Sequence, residues 1–282
     1  MDELNENRLR LTLDRELENR EIEKYSGIRA YFKTIKYDKY GVPILSREDI
    51  ETIAELFLHI YFPNILQTPQ STPFLDIINI LVDRKKLAID FSTKLETNEK
   101  EHILGKTVFS SKLVLIDKSL KLNDPRFNFV LGHELGHIFL HTGRKIMDDH
   151  KEYVNFSKDK AKHFFLKPFI DMSVRNKIEW QANAFSAAIL IPRKTFAKAL
   201  IGIQKELGIN RNVGIIYLDH NNYSRGMFNS IISMLSNLYN CSFTVTKYRL
   251  YNLNFVVDIS KTKPSFSSLD NILYKIIKEN TI

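Results

Sequence analysis

Cysteine is almost absent: Cys241 is the only one in 282 residues, so no internal disulfide can staple the chain and its stability must come from a packed core. No uncharged apolar run is long enough to cross a bilayer, because the greasiest segments are broken by Asp76, Asn79 and Asp83 or by Arg193 and Lys194. Residues 1–25 lack the apolar stretch of a secretory signal. Together these absences predict a cytoplasmic protein without a membrane partner. Internal repeats and low-complexity tracts are also missing, which argues against a solenoid or a fibre. A basic block is missing too. The net charge is +8 and the pI about 9.3, but the Lys and Arg residues are spread along the chain, the pattern of a solvated surface rather than a phosphate-binding patch.

Apolar residues make up 44% of the chain, enough for one large domain or two modest ones. Residues 1–25 alternate acids and bases around Leu9, Leu13 and Leu17, the spacing of one helix side and of a docking arm. Ser46-Arg47-Glu48-Asp49 resembles a capping box and opens a helix expected over 47–61, stopped by Pro63. Thr72-Pro73 predicts a cap for a helix reaching about Asp83, followed by a strand at 87–91. Two antiparallel strands are expected at 106–110 and 112–117, from KTVFS and KLVLID. Asp124-Pro125 then starts a helix with Phe127, Val130, Leu131, Leu135, Ile138 and Phe139 on its apolar face, running to Gly143. Residues 145–173 are charged and irregular, as in a surface flap. Helices are expected over 174–190 and from there to Gly208, and the whole reads as an α+β fold with a small antiparallel sheet.

The chemistry lies in His133-Glu134-Leu135-Gly136-His137. Residues four apart on a helix share a face, so His133 and His137 can aim imidazole nitrogens at one ion. Zinc accepts two imidazoles and a carboxylate, and a catalytic zinc keeps its fourth position for a water of lowered pKa. Glu134 is placed to take a proton and return it to the leaving amine. A three-position pattern of this kind arises by chance in such a chain on the order of one time in a hundred, so coincidence is the weaker reading. Gly136 costs about 1 kcal/mol relative to alanine within a helix, which suggests close approach by a strand or a substrate. The candidate third ligand is Glu179, with Asn183 one turn on to orient a ligand; the alternative is a solvated glutamate. His141 lies one turn beyond His137, but three histidines in successive turns rarely converge on one ion, and a packed or hydrogen-bonded role is favoured. No role is assigned to His150 or His163.

Two segments carry a resemblance. Arg126-Phe127 leading to Leu131-Gly132-His133-Glu134-Leu135-Gly136-His137-Ile138-Phe139-Leu140-His141 is similar to the motif helix of the ImmA/IrrE metallopeptidases, a gluzincin-like family. Glu179-Trp180-Gln181-Ala182-Asn183-Ala184-Phe185 with Leu190-Ile191-Pro192 is similar to its second signature, Ser186 standing where alanine is expected. The similarity spans roughly 70–256 and is weakest at 145–173. It implies a zincin-like fold, one Zn2+ per chain held by His133, His137 and Glu179, and Glu134 as catalytic acid and base. It also implies an endopeptidase that cuts a helix-turn-helix repressor, releasing genes of a mobile element or a stress response. A peptide held by strand addition near Leu113–Ile116 is a further expectation.

Met234, Leu235, Leu238, Cys241, Val245, Tyr248, Leu250 and Leu253 suggest two short helices joined near Asn240–Ser242. They read as a helix-turn-helix-like closing segment. Thr246, Lys247 and Arg249 are its candidates for direct DNA contact, with a compact cap the preferred role. The organisation expected is an N-terminal extension over 1–45, a peptidase domain over 46–208, a helical subdomain over 209–258 and a tail over 259–282, with a short helix at 268–278. The competing class is a non-catalytic regulator whose metal is structural and which binds DNA or a repressor; a toxin or antitoxin role is neither favoured nor excluded.

Overall fold

Ser46 opens the first helix of the computed structural model, which describes residues 34–83, 87–95, 103–122, 124–141 and 174–260. Its hydroxyl accepts from the Asp49 N–H while the Asp49 carboxylate accepts from the Ser46 N–H, the reciprocal cap expected for α1, Arg47–Tyr61. Ile50, Ile53, Ala54, Phe57 and Leu58 form its buried face. A 3-10 turn at Pro63–Leu66 leads to α2, Phe74–Asp83. Thr72 serves another purpose than the expected cap. Its hydroxyl donates to the Ile189 carbonyl at 2.7 Å, satisfying one of the carbonyls left unpaired at the end of helix α4, Val174–Leu190.

The three-stranded sheet is mixed rather than antiparallel. Its strands are β1, Ala88–Asp90, β2, Gly105–Val108, and β3, Leu113–Ile116, in the order β1-β3-β2. β2 and β3 form the expected antiparallel hairpin, trimmed because Phe109–Lys112 make the turn and Lys112 takes a φ of 50°. β1 pairs with β3 in parallel. β2 does not occupy the place next to β1, and the hairpin returns β3 into the slot between them.

Helix α3, Pro125–His141, starts where Asp124 Oδ1 accepts from the Arg126 N–H at 2.8 Å. Every residue from Phe127 to His141 is buried, so the helix is wrapped on all sides instead of exposing a polar face. The cause is its central place: β2, β3 and α2 pack against it, and α4 crosses it closely. Helix α5, Arg193–Glu206, then leads to β4, Ile216–Leu218, helix α6, Asn222–Tyr239, helix α7, Phe243–Asn252, and β5, Val256–Asp258. β4 and β5 pair in parallel. At three residues each they are too short to show periodicity in the sequence, which did not predict them.

The closing helices meet at Asn240, whose left-handed conformation (φ 49°, ψ 49°) ends α6 before Ser242 caps α7. α6 is 18 residues long, not short. Two of the three DNA-contact candidates face inward. Thr246 is buried, and its hydroxyl accepts from the Ser236 hydroxyl and donates to the Ser242 carbonyl. The Arg249 guanidinium pairs with both oxygens of Glu51 in α1 and donates to the Ile191 carbonyl at 2.8 and 2.9 Å. These two side chains therefore cannot reach a groove, and α7 caps the core. No described helix is long and apolar enough to cross a membrane. The expected arm at 1–25, the flap at 145–173, the tail helix at 268–278, His150 and His163 all lie outside the described residues.

Candidate metal centre

The site is assembled where α3 and α4 touch, and small residues set how closely they do so. A Cβ on Gly136 would lie 3.0 Å from the Ala182 Cα and 3.1 Å from its carbonyl oxygen. The neighbour that requires this glycine is thus a helix backbone rather than a strand or substrate. One turn earlier, a Cβ on Gly132 would lie 2.7 Å from Ser186 Oγ, which donates to the Phe129 carbonyl at 2.8 Å. Ser186 in place of alanine therefore ties the two helices together.

This contact brings Glu179 of α4 to the two histidines of α3. His133 Nε2 lies 3.3 Å from Glu179 Oε2, His137 Nε2 3.6 Å from Glu179 Oε1, and the two Nε2 atoms 2.8 Å from each other. One donor atom from each of the three residues falls within 4.8 Å of the others. All three side chains are buried. Asn183 Oδ1 sits 3.0 Å from His133 Nδ1. His141 is outside the cluster: its Nδ1 is 3.1 Å from His137 Nδ1, on the far side of that ring.

A cation suits this arrangement. Glu179 Oε1 is a buried carboxylate oxygen without a hydrogen-bond donor, and such an atom costs about 1–3 kcal/mol or more if left uncompensated. The two imidazole Nε2 atoms, 2.8 Å apart, can share one proton or turn together toward one ion on the Glu179 side. Burial pushes both rings toward neutrality. For His133 the hydrogen bond and charge of Glu179 outweigh it and raise the pKa, whereas His137 is held well below the usual value by burial, His133 and His141. Two imidazoles and a carboxylate are donors that zinc accepts.

Glu134 lies beside this cluster without joining it. Its Oε2 accepts from the Thr107 hydroxyl at 2.5 Å, and its Oε1 is buried with no partner. Room for that oxygen comes from Gly105, since a Cβ there would lie 2.6 Å from Glu134 Oε1 and 2.6 Å from Val130 Cγ1. Burial pushes the Glu134 pKa up to about 7, with His133 and Thr107 opposing it and Glu179 adding to it. Phe109 meets the His137 ring edge-on at 6.3 Å and clusters with Val42 and Ile178, an apolar wall on that side. Gly105, Thr107 and Gln181 were not singled out in the sequence, because only the fold brings β2 and Pro43 to these helices.

No family model matches the chain, and no curated protein matches it. Among solved structures, a Mycobacterium tuberculosis transcriptional regulator is similar with a TM-score of 0.42 and 14% identity over 85% of this chain and 52% of the other. The chain thus spans about half the length of that regulator. A likeness this distant carries no argument about function.

Proposed function

We propose that this protein is a zinc-dependent endopeptidase with a zincin-like active site, in which His133, His137 and Glu179 hold one Zn2+ per chain and Glu134 is the general base. One observation carries the reading: three buried donors converge, and a second carboxylate, Glu134, stands beside them with an unpartnered oxygen. A structural zinc is closed by four protein ligands, whereas three ligands leave a position for chemistry. When bound, zinc would supply a Lewis acid for the scissile carbonyl and lower the pKa of a water. Thr107 holds Glu134 Oε2, so Oε1 is the atom that accepts the proton of the attacking water and returns it to the leaving amine nitrogen.

The substrate class follows from the resemblance of the two signature segments to ImmA/IrrE metallopeptidases: a helix-turn-helix repressor, cut to release mobile-element or stress genes in the cytoplasm. Strand addition at Leu113–Ile116 is corrected, because β3 lies between β1 and β2 and both of its edges are used. Among the described residues β2 is an outer strand, and Thr107 links it directly to Glu134. An extended peptide pairing with β2 would lie beside the general base.

The test combines metal content by elemental analysis of wild type and His137→Ala with cleavage of a co-encoded repressor by wild type and Glu134→Gln. One zinc per chain, lost in His137→Ala, and cleavage abolished in Glu134→Gln with metal retained is the expected result. Metal retained without any Glu134-dependent cleavage would instead point to a non-catalytic regulator or to a different substrate.

A further inference from the structure

We propose that His141 and Gln181 are positioning residues that fix the tautomer and ring orientation of His137 for metal binding. The proposal rests on the metal-site reading and adds to it an outer layer built from α3, α4 and the segment before α1. The argument is one of polarity. Gln181 is fully buried, and its Nε2 donates to the Pro43 carbonyl at 2.6 Å. A carbonyl can only accept, so the amide has a single orientation and its Oε1 is the atom facing His141 Nε2 at 2.8 Å. Oε1 accepts, and His141 Nε2 therefore carries a hydrogen. A neutral imidazole has one N–H, which leaves His141 Nδ1 as an acceptor. The atom it faces, His137 Nδ1 at 3.1 Å, must then donate. What remains on His137 is an Nε2 lone pair, and that atom points at His133 and Glu179.

Each link has one allowed direction, from Pro43 to the ligand atom. On the other ligand, Asn183 Oδ1 lies 3.0 Å from His133 Nδ1, and an acceptor there places the N–H at Nδ1 and leaves Nε2 for an ion. The two branches differ in reach. Asn183 acts on His133 directly from α4. His137 is served through a second histidine one helical turn away, whose partner is in turn anchored to Pro43, a residue bridged to Tyr37. The ring of His137 is thus held from behind by groups that do not belong to the donor cluster. Such outer partners are worth about 10–100-fold in metal affinity.

The experiment is a Co2+ titration followed in the visible spectrum, with Zn2+ competition, on the full chain as wild type, His141→Phe, Gln181→Leu and His141→Asn. Thermal unfolding of each metal-free protein is recorded alongside. His141→Phe and Gln181→Leu should weaken metal binding by about 10–100-fold. His141→Asn, whose Oδ1 can occupy the place of Nδ1 and accept from His137, should restore most of that loss. Rescue by asparagine is what a purely space-filling role would not produce. If His141→Phe fails to fold, Gln181→Leu and His141→Asn carry the test. A wild type that binds one Co2+ while Gln181→Leu binds it equally well overturns the positioning role and leaves the metal site standing. A wild type that binds no metal overturns both.

Discussion

Replacing Gly136 by alanine tests whether the α3–α4 contact sets the geometry of the candidate metal centre. Alanine removes the penalty of a helical glycine, worth about 1 kcal/mol in favour of the mutant. Against this, the new methyl would meet the Ala182 Cα at 3.0 Å, its carbonyl oxygen at 3.1 Å and Phe185 Cδ1 at 3.3 Å. Carbon atoms rest at about 3.5–4.0 Å, so the helices must part by roughly 0.5–1 Å. Two of the three obstructing atoms are backbone and cannot rotate away. Overpacking of this kind costs about 1–3 kcal/mol, leaving a net destabilisation of about 0–2 kcal/mol. At about 2–4 °C per kcal/mol for a chain of this size, the melting temperature should fall by several degrees at most. Metal binding should suffer more than stability, because His137 stands next to Gly136 on one helix and Glu179 belongs to the other. A site needs its ligands held within about 0.5 Å, so for the proposed zinc site at least a tenfold loss of Zn2+ affinity is expected by competition titration. A Gly136→Ala protein that melts higher than wild type and binds zinc equally well would refute the close-contact argument.

Two further perturbations probe the frame around the site. Arg249→Met leaves Glu51 buried without its guanidinium and should cost roughly 3–5 kcal/mol in chemical denaturation, while adding Glu51→Leu should recover most of it; equal destabilisation of the single and double variants would contradict this. Asp117 offers a pH test. Burial raises its pKa, but hydrogen bonds from Ser119 and from the Leu95 N–H at 2.7 Å outweigh that and the net shift is downward. A depressed folded-state pKa gives stability that is present above the unfolded value of about 3.9 and is lost as pH falls through the folded value. Asp117→Asn should therefore melt below wild type at about pH 7, and the gap should narrow as the pH is lowered past the unfolded value of about 3.9. A gap that stays constant between those conditions would count against the assignment.

Local signals in the chain were sufficient for much of the framework. The Ser46–Asp49 cap, the Asp124-Pro125 start and the spacing of apolar residues place α1, α3 and α4 at Arg47–Tyr61, Pro125–His141 and Val174–Leu190. Capping and periodicity act over a few residues, so they can be read from neighbours alone. The His133–His137 pair is legible for the same reason, since one helical turn joins its members. The tertiary structure decided what depends on distant partners. Glu179 reaches the histidines because Gly132 and Gly136 let α4 lie against α3. β1 runs parallel to β3 because a hairpin returns the chain into the middle of the sheet. Arg249 is an internal tie rather than a surface cation because Glu51 meets it from 198 residues away. Gln181 became a polarity anchor only when Pro43, 138 residues earlier, came within reach of its amide. Sequence order records contacts along one helix. Which helix, strand or carbonyl stands opposite is set by burying all the apolar faces at once, and that is a property of the folded chain.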